Sequence, residues 1–556
     1  MALSSNDKEM KRSMCFQQNG YGQFKFRDME LNKDAAAIAR TILSLLLFAL
    51  CGCSASRIAA VADKDKEAVI DIGSERQLMI DNYMVSRLNG TASLKFHHPE
   101  PREIVMSHDA PWEGSGSAYH SIFKDGNTYK MYYKAWQLTI TEQGKLHTDH
   151  PLYTCYAESD DGIVWRKPNL GLFEFQGSRD NNIVIAESDF PGVKGKVHVS
   201  SLMAGHPAVF LDENPAAPKA AKYKAFLPNF YGENKGLLAF GSADGIHWKA
   251  LADTPVIREG IFDSQNLAFW DSAHQTYRAY WRVSAKGVRS IRTAISRDFI
   301  HWENQENLDF GDAPTEHLYT SQIKPYYRAP QLLIGFPARY TVRGWSPSMG
   351  FLPDAEHRME RTISSERHGT VITESLLMTS RDGVSFNRRS EAFLRPGIER
   401  SGAWAYGNQY LSWGIAETKS PYGDGPGELS FYSTESYWTD KSSLLRRYAL
   451  RIDGFGSVNA AMEGGELVTK PIRFHGDTLR LNFSTSAAGS MRIELLDEHG
   501  SPLEGFTAND CEEIFGDTID RPVIWKGNKN LGAMAGKPIR VRFLLKDADL
   551  FSFRFQ

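Results

Sequence analysis

The sequence feature that most constrains this chain is a short pattern, Ser-x-Asp-Gly-x-x-Trp, that recurs through its middle. Clear copies stand at 159–165, 242–248, 296–302 and 380–386, and a degenerate fifth copy stands at 433–438. Asp and Gly favour a tight turn in which the Asp carboxylate accepts hydrogen bonds from backbone N–H groups. The aromatic residue then packs back between neighbouring sheets. Because one such unit cannot bury both its faces alone, the recurrence predicts several similar units packed side by side.

A Tyr-rich strand accompanies the clear copies of the turn. The segments 129–133, 223–226 and 277–281 are examples, and each follows an apolar strand. The chain has 12 Trp, 22 Tyr and 31 Phe, and aromatic residues favour strands over long helices. We therefore predict an all-β chain with a five-bladed β-propeller over residues 90–448. A β-sandwich over the same residues is the alternative, but the long period and the repeated turn favour the propeller.

The repeat stops near Tyr448, and the remaining residues form a different pattern. Apolar and polar residues alternate in short segments there, at 478–483, 491–496, 539–545 and 550–555. A turn sequence at 497–500 separates two of these segments. This alternation predicts a C-terminal β-sandwich over residues 449–556.

Composition and charge exclude several classes of protein. The 556 residues carry a net charge of −3, from 64 Lys and Arg against 67 Asp and Glu. That balance gives no broad attraction to nucleic acid, so we expect no nucleic-acid partner. Hydrophobic residues make up 42% and charged residues 24%, which excludes wholesale disorder. Cys155 and Cys511 lie far apart in the body of the chain, and we expect both to be unpaired. The oligomeric state is left open.

The N-terminal region carries signs of export. An apolar run at 42–50 has the length of a signal-peptide core and is too short to span a bilayer. Residues 50–53, Leu-Cys-Gly-Cys, resemble a bacterial lipobox in which Cys53 receives the lipid. We expect residues 1–53 to be a signal peptide with its lipobox and 54–89 to be a tether and entry segment. The mature protein would be exported and held in the cell envelope only by its lipid anchor. An ordinary signal peptide is the alternative.

A propeller followed by a β-sandwich resembles glycoside hydrolase family 32. The repeated turns and the hairpin at 124–129 also resemble families 43, 62 and 68, and the segments 168–171 and 181–184 resemble exported bacterial proteins usually labelled as family-32-like. In that superfamily, three carboxylates stand at the starts of inner strands in the first three blades. By this resemblance Asp263 holds the position of the general acid, while Ser117 and His206 stand where the other two carboxylates are expected.

Glycoside cleavage by two carboxyl groups requires them to flank the bond, about 5 Å apart for retention and about 6.5–9.5 Å apart for inversion. A propeller supplies such groups from different blades around its axis. Asp263 is the first candidate, as proton donor. Asp109 and Glu316 are its candidate partners, and Glu113 is a candidate binding residue. For each of these carboxylates, a solvated loop position is the alternative.

Other side chains are candidates for binding the saccharide. His206 would hydrogen-bond sugar hydroxyls, and Arg339 would pair with a carboxylate or sulfate group. Trp112 and Trp404 would stack on sugar faces. The structural alternatives are a satisfied histidine, a surface ion pair and packing between blades.

The sequence thus predicts an exported glycoside hydrolase that acts on a poly- or oligosaccharide without a cofactor. A non-catalytic carbohydrate-binding lipoprotein is one alternative. A glycoside phosphorylase on the same fold is another, with Arg289, Arg292 and Arg339 as its phosphate-binding residues. We expect no catalytic metal. The acidic stretch from Asp510 to Asp520 is expected to be a solvated loop, with a structural calcium ion as the alternative.

Overall fold

Five antiparallel sheets of four or five strands follow one another in the computed structural model, which describes residues 67–141, 143–439 and 441–556. Each sheet is one blade of a propeller, and the five-bladed β-propeller predicted from the repeats is confirmed. The signal peptide, the lipobox and Cys53 lie outside the described residues.

The strands of each blade are as follows. Blade 1 consists of Ala118–Asp125, Thr128–Ala135, Tyr153–Ser159 and Ile183–Ile185. Blade 2 consists of Ala208–Leu211, Tyr223–Asn229, Gly236–Ser242 and Trp248–Ala250. Blade 3 consists of Leu267–Asp271, Thr276–Ala285, Val288–Ser296 and Trp302–Asn307. Blade 4 consists of Lys324–Tyr326, Ala329–Gly335, Ala338–Val342, Val371–Ser380 and Asn387–Leu394. Blade 5 consists of Ala416–Thr418, Glu428–Glu435, Leu444–Arg451 and Glu100–Ser107.

The repeated turns form as predicted. In the first copy, Asp161 Oδ1 accepts hydrogen bonds from the N–H groups of Ile163 and Val164, both at 2.8 Å. Ser159 Oγ accepts a third bond from Gly162 N at 2.9 Å. The same carboxylate pattern is repeated at Asp244, Asp298 and Asp382. The Ser and Asp of the pattern therefore satisfy the backbone of the turn.

The aromatic residue of each turn packs on the second strand of the preceding blade. Trp248 of blade 2 lies against Tyr132 of blade 1, with ring centroids 6.3 Å apart. The equivalent pairs are Trp302 with Phe226, Phe386 with Tyr280, and Trp165 with Tyr432. Since Trp165 belongs to blade 1 and Tyr432 to blade 5, the last of these pairs closes the ring.

The degenerate fifth copy differs from the prediction. Residues 433–438 lie at the end of the second strand of blade 5, whereas the other four turns precede the outermost strand of their blade. The third strand of blade 5 runs instead into Asp453, Gly454 and Phe455. The Phe455 ring lies 5.4 Å from that of Tyr326 and 6.4 Å from that of Phe336, both in blade 4. This Asp-Gly-Phe segment thus fills the fifth interface, although it lacks the preceding Ser of the pattern.

The ring is also closed by hydrogen bonds. The outermost strand of blade 5, Glu100–Ser107, comes from before blade 1 and pairs with Leu444–Arg451. Arg447 on that neighbouring strand binds Glu103 through Nε and Nη2, both at 3.1 Å. The first and last blades of the chain are therefore held in one sheet.

The C-terminal β-domain is a ten-stranded sheet that surrounds a single apolar core. Its strands are Ile70–Gly73, Gln77–Leu78, Val85–Gly90, Ser93–Phe96, Gly456–Ala460, Gly465–Thr469, Ile472–Phe474, Leu479–Asp497, Asp517–Pro522 and Ile539–Phe555. Four of these strands precede the propeller in the chain. The structure therefore differs from the expected tether and entry segment at 54–89: from Ile70 onward this segment belongs to the C-terminal sheet. Its short strands pair with partners about 400 residues away, which no local pattern reveals.

The remaining elements are short. They are the hairpins Leu138–Ile140 with Leu146–Thr148 and Ser188–Pro191 with Lys196–Val199, the helices Ser201–Ala204, Pro347–Phe351, Ala355–Ser364 and Glu366–Thr370, and the 3-10 turns Lys219–Ala221 and Gly532–Met534. The last three α-helices form an insertion in blade 4, and Arg358 Nη2 joins it to blade 5 by donating to the Trp404 carbonyl at 3.0 Å. Cys155 and Cys511 are buried and unpaired, as expected. None of the helices described is both long and apolar enough to span a bilayer.

Candidate functional site

The inner strands are tied together across the propeller axis by two buried glutamines. Gln265 of blade 3 donates to the Ser121 Oγ and to the Tyr119 carbonyl of blade 1, both at 3.0 Å. Gln322 of blade 4 donates to Gln265 Oε1 at 2.9 Å and to the Leu411 carbonyl at 2.7 Å. This crosslink joins inner-strand segments of blades 1, 3, 4 and 5 across the axis, whose two ends are candidate ligand sites.

Buried tyrosines gather at the end where the inner strands begin. We call Tyr119, Tyr319, Tyr340, Tyr406, Tyr410 and Tyr437 the tyrosine cluster. Tyr319 stacks on Tyr410 at 5.5 Å and on Tyr340 at 6.0 Å, with interplanar angles of 20° and 16°. Burial raises the pKa of Tyr119, Tyr406 and Tyr410 well above the usual range, so these phenols are neutral near pH 7. The cluster offers aromatic faces and hydroxyl groups to a ligand.

Lys134 lies against this cluster with no acidic partner. Its Nζ is 4.6 Å from the ring centroid of Tyr119 and 4.8 Å from that of Trp136. It donates one hydrogen bond, to Tyr437 Oη at 3.2 Å. No carboxylate among the described residues pairs with this amine, and the residue is only 3% exposed. Burial lowers the pKa of Lys134 to about 7, so its proton is exchangeable at neutral pH.

Asp263 is the carboxylate that the ion pairs place at the cluster. Its Oδ1 accepts a short hydrogen bond from Arg282 Nη2, and the Asp263 side chain remains 56% exposed. The Arg282 guanidinium lies 4.6 Å from the ring centroid of Tyr319. A proton on Asp263 would break the ion pair, so this environment suits a carboxylate that accepts a proton better than one that donates it.

His206 completes the wall between blades 1 and 3. Its Nδ1 lies 2.8 Å from the Leu202 carbonyl, and because a carbonyl only accepts, this nitrogen carries the proton. Nε2 is then a free lone pair at the site. Burial, together with the nearby charge of Lys134, lowers the pKa of His206 to about 4, so the ring is neutral at pH 7. His206 also lies within the electrostatic reach of Asp263.

Two further arginines lie at the blade 4 side of the cluster. The Arg289 guanidinium is 4.5 Å from the ring centroid of Tyr340, and the exposed Arg367 lies within the electrostatic reach of Tyr340. Neither arginine forms an ion pair with any carboxylate that the structure describes. The nearby His317 has its pKa lowered by burial and by Arg289, so it is neutral near pH 7 and adds no further positive charge.

Three residues near the starts of inner strands have a left-handed backbone conformation. Tyr119, Gln322 and Gln409 have φ values of 58°, 47° and 55°, in the left-handed region that favours glycine. They stand near the inner-strand starts of blades 1, 4 and 5. Non-glycine residues in this region are enriched at functional sites, where surrounding contacts hold them.

The structure places Glu316 and Arg339 together, outside the tyrosine cluster. Glu316 pairs with Arg339 at 3.0 Å and with Arg388 at 2.6 Å. Arg339 also binds Glu374 and the Ser390 carbonyl. Both predicted site residues are therefore occupied in a salt-bridge network of blade 4.

Asp109 and Glu113 lie in a separate polar group beside blade 1. Glu113 is buried and accepts hydrogen bonds from Tyr133 at 2.5 Å and Lys167 at 2.6 Å. Asp109 lies 3.7 Å from the same Lys167 and is largely exposed. Trp112 donates to Asn182 in this group at 2.7 Å. These contacts support a structural role for Glu113 and Trp112.

Trp404 lies near the site, and most of its contacts are with the surrounding protein. Its Nε1 donates to the Gly397 carbonyl at 2.8 Å, and its φ is 56°. Its own carbonyl receives Arg358 from the helical insertion. It therefore anchors the insertion beside blade 5, and its ring is partly exposed.

The tyrosine cluster, Lys134, Arg282 and Arg367 were not among the predicted site residues. Tyrosines in strands have an ordinary explanation as strand formers, so their convergence is invisible without the blade geometry. One local signal existed: Lys134 interrupts the apolar and aromatic segment 131–136. A lysine there must be buried or must bend that strand.

The opposite end of the axis holds a cavity of about 560 Å³. Apolar and aromatic residues such as Phe269, Trp270 and Tyr326 line much of it, together with Lys324 and Glu417. Lys324 in this cavity resembles Lys134 because burial lowers its pKa. The charge of Glu213 is the one influence that raises the pKa of Lys324. The cluster end is the better candidate, because it combines a carboxylate, a histidine lone pair and several unpaired cations.

Two carboxylates of the acidic stretch in the C-terminal domain pair with arginines, while Glu512 and Glu513 are exposed. Asp517 binds Arg451, and Asp520 binds Arg480 at 2.9 Å and Arg554 at 3.3 Å. Within the described residues, no group of three or more His, Cys, Asp or Glu side chains is arranged to hold a metal ion. A calcium ion at this stretch has no support from the geometry.

Comparison with known proteins gives structural matches alone. No protein-family model matches the chain, and no curated protein matches it. A glycosyl hydrolase from Bacteroides ovatus is 12% identical, with 67% of this chain and 96% of that chain covered and a TM-score of 0.37. The GH32 β-fructofuranosidase of Bombyx mori is 8% identical, with 86% and 95% covered and a TM-score of 0.34. A structure from the GH130 family of mannoside phosphorylases is 11% identical, with 64% and 94% covered and a TM-score of 0.34. With TM-scores below 0.5, the roles of individual residues rest on the geometry described above.

Proposed function

We propose that this protein is a carbohydrate-active enzyme that binds a saccharide at the tyrosine cluster and hydrolyses a glycosidic bond there. The observation that carries the proposal is the convergence of Asp263, His206 and Lys134 on one aromatic, hydroxyl-rich cluster of side chains. The faces of a sugar ring are apolar and pack on aromatic rings, while its hydroxyls need donors and acceptors. Neutral tyrosine hydroxyls and the His206 Nε2 lone pair supply both.

The proposed chemistry assigns complementary roles to two groups. Asp263, held as a carboxylate by Arg282, accepts a proton from the attacking water. Lys134, with a pKa of about 7, donates a proton to the leaving oxygen. Proton exchange with solvent then restores both groups. This assignment reverses the role expected for Asp263 from the family resemblance, because the arginine pair favours the ionised carboxylate, and it replaces the missing second carboxylate with an ammonium group.

The test of this function begins with a screen of oligosaccharides for cleavage. With a cleaved substrate in hand, Asp263→Asn keeps the size of the side chain and removes the proton acceptor. We expect turnover to fall by about 10²–10⁴-fold. Asp109→Asn is the matched control, since that carboxylate lies on the exposed side of Lys167, and we expect it to keep full activity. Full activity in Asp263→Asn would eliminate the proposed role.

A glycoside phosphorylase is the second candidate, and the arginines decide how well it fits. Arg292 pairs with Glu259 at 3.3 Å, and Arg339 pairs with two glutamates. Of the three arginines named from the sequence, Arg289 alone is free of a carboxylate among the described residues. Cleavage that depends on added orthophosphate, with a sugar phosphate as product, would favour the phosphorylase over the hydrolase.

Export and lipidation remain a proposal supported by the sequence. The apolar run at 42–50 and the tetrapeptide at 50–53 support cleavage before Cys53 and lipidation of that residue. We expect mass spectrometry of the protein recovered from its native cells to find a lipidated Cys53 at the N-terminus. An intact Met1 or Met29 terminus on the exported protein would contradict this.

A further inference from the structure

The cavity at the far end of the axis is built by all five blades. It lies where the inner strands end, whereas the tyrosine cluster lies where they begin. Every blade contributes to its lining, with Phe123, Leu211, Trp270, Tyr326 and Glu417 as examples in chain order. Its volume of about 560 Å³ falls within the range of about 300–1,000 Å³ that is typical of small-molecule sites. The cavity is therefore large enough for a ligand of its own.

This cavity extends from the surface toward the axial crosslink. Gln322 of the crosslink is one of its lining residues and is 3% exposed. Lys124, Tyr327 and Glu417 also line the cavity, and all three are exposed. A ligand that enters beside the exposed residues is thus enclosed by the propeller on its inner side.

Tyr327 gives the cavity an aromatic ring whose position is fixed. Its hydroxyl donates to Glu417 Oε2 at 2.5 Å, and its ring lies 5.2 Å from that of Tyr326 at an interplanar angle of 72°. Tyr326 is buried and donates in turn to Asp453 at 2.7 Å. Because the half-exposed Tyr327 ring is already held in place, a ligand that packs on it loses little further side-chain entropy.

Three polar groups of the lining have no hydrogen-bond partner among the described residues. Trp270 is only 8% exposed, and a buried indole N–H usually finds an acceptor, yet this one donates to no described residue. The Lys324 ammonium lies 5.9 Å from the ring centroid of Trp413 and forms no ion pair there. The carboxylate of Glu213 is exposed and accepts no hydrogen bond. The lining therefore offers two donors and one acceptor to a ligand.

The charges of the lining balance each other. Lys124 and Lys324 contribute two positive charges, and Glu213 and Glu417 contribute two negative charges. Such a lining gives no net attraction to an ion of either sign. Aromatic faces combined with free donors and acceptors suit a ligand that is neutral, rich in hydroxyls and partly apolar, which is the chemistry of a sugar ring.

We infer that this cavity is a second saccharide-binding site, for a neutral sugar unit. One face of the sugar packs on Tyr327. Its hydroxyls accept hydrogen bonds from Trp270 and Lys324 and donate to Glu213. The inference goes beyond the proposed function and does not depend on it, because the two sites lie at opposite ends of the axis.

Calorimetric titration with neutral oligosaccharides tests the inference. The panel consists of gluco-, manno-, xylo-, galacto- and fructo-oligosaccharides. The full-length protein carries Asp263→Asn, so that cleavage at the other end of the axis does not consume the ligand. We expect at least one member to bind, with an affinity that changes by less than about twofold between low and high salt, because the sugar is uncharged.

Variants of the lining locate the bound sugar. In the same background, Tyr327→Ala is expected to weaken binding at least tenfold, and Glu213→Gln at least threefold. Tyr327→Phe keeps the ring but loses its hydrogen bond to Glu417, so it should weaken binding less than Tyr327→Ala. Tyr422→Ala is the matched control, because Tyr422 is 86% exposed and does not line the cavity, and it should change the affinity by less than twofold. A melting temperature near that of the parent protein establishes that each variant is folded.

The inference and the proposed function fail in different ways. If no member of the panel binds, or if Tyr327→Ala and Glu213→Gln both leave the affinity unchanged, the inference is wrong. If laurate binds, Tyr327→Ala weakens its binding, and no saccharide competes with it, the cavity takes an apolar acid and the inference is also wrong. If a saccharide binds in the cavity but the protein with Asp263 intact cleaves none in a broad screen, the proposed function fails while the inference stands.

Discussion

At the scale of single residues, Lys134 is the side chain whose environment departs most from what its chemistry prefers. An ammonium group normally stays in water or pairs with an acid, yet Lys134 is enclosed by aromatic rings and one hydroxyl. The aromatic faces recover part of the lost hydration through cation–π contacts. The lowered pKa of about 7 reflects the part of the lost hydration that these contacts do not replace.

This predicts that Lys134→Met stabilises the protein in a pH-dependent way. Folding lowers the pKa of Lys134 from 10.5 to about 7, so between these values the unfolded chain binds a proton that the folded chain does not. The destabilisation caused by the lysine is complete below pH 7 and fades as the pH rises toward 10.5. We therefore expect the variant to melt several degrees above the wild type at pH 6 and near it at pH 10.

Thermal melts of both proteins at pH 6, 8 and 10 provide the measurement. Lys249→Met is the control, since Lys249 is exposed and should change the melting temperature little at any pH. A constant difference between Lys134→Met and wild type across the series would show that the lysine does not titrate in this window.

Two of the predicted catalytic and saccharide-binding residues lie at the candidate site, Asp263 and His206. Both stand just before inner strands, so the blade count alone was enough to bring them to one end of the axis. Glu316 also stands before an inner strand, but it is paired with Arg339 and Arg388. Such pairings join residues tens of positions apart on neighbouring strands, and they depend on strand register that the sequence pattern does not specify.

At the scale of the elements, the turn before the outermost strand of a blade is where sequence and structure agree best. Its Ser and Asp accept hydrogen bonds from backbone groups within five residues, so the pattern contains its own explanation. The third copy of the pattern, which has Phe299 in place of Gly, is explained by the contacts of that residue. Where the other copies have Gly, Phe299 adopts a φ of 70° and stacks on Phe226 at 5.0 Å, and Phe226 stands where blades 1, 3 and 5 have Tyr.

The turn glycines should differ in their tolerance of a methyl group. Gly245 has a φ of 83°, and a Cβ there would collide with the Tyr132 hydroxyl, which donates to the Gly245 carbonyl at 3.0 Å. Gly126 has a φ of 60° with open space around it. We expect Gly126→Ala to cost about 1–2 kcal/mol of unfolding free energy from backbone strain alone.

Gly245→Ala should cost at least about 1 kcal/mol more than Gly126→Ala, because it also disturbs a buried hydrogen bond between two blades. Chemical denaturation of both variants measures the difference. Equal losses would mean that the contact between Tyr132 and the next blade contributes nothing to stability.

At the scale of the whole molecule, one buried carboxylate joins the propeller to the C-terminal domain. Asp453 follows the last propeller strand and accepts hydrogen bonds from Tyr326 at 2.7 Å and Arg328 at 3.0 Å, both in blade 4. It also accepts one from Ser552 at 2.8 Å in the C-terminal sheet and lies 3.5 Å from Arg76. Four distant parts of the chain therefore meet at one group. No local pattern marks Asp453 for this role, since its partners lie up to 377 residues away.

Asp453→Asn keeps the shape of this junction and removes its charge. Arg76 and Arg328 would then be left at the junction without the carboxylate they share, and breaking a buried ion pair in this way costs about 3–5 kcal/mol. We expect the variant to lose that much unfolding free energy. Because the junction binds both domains, we expect the wild type to unfold in a single transition that Asp453→Asn moves as a whole.

Asp520→Asn is the control. Asp520 also lies beside Arg76, at 3.5 Å, but it is partly exposed, and its substitution should cost about 1 kcal/mol or less of unfolding free energy. Denaturation followed by tryptophan fluorescence and by circular dichroism measures both variants. Equal effects of the two substitutions, or a wild type that unfolds in two separate steps, would show that the domains are stabilised independently and that Asp453 does not couple them.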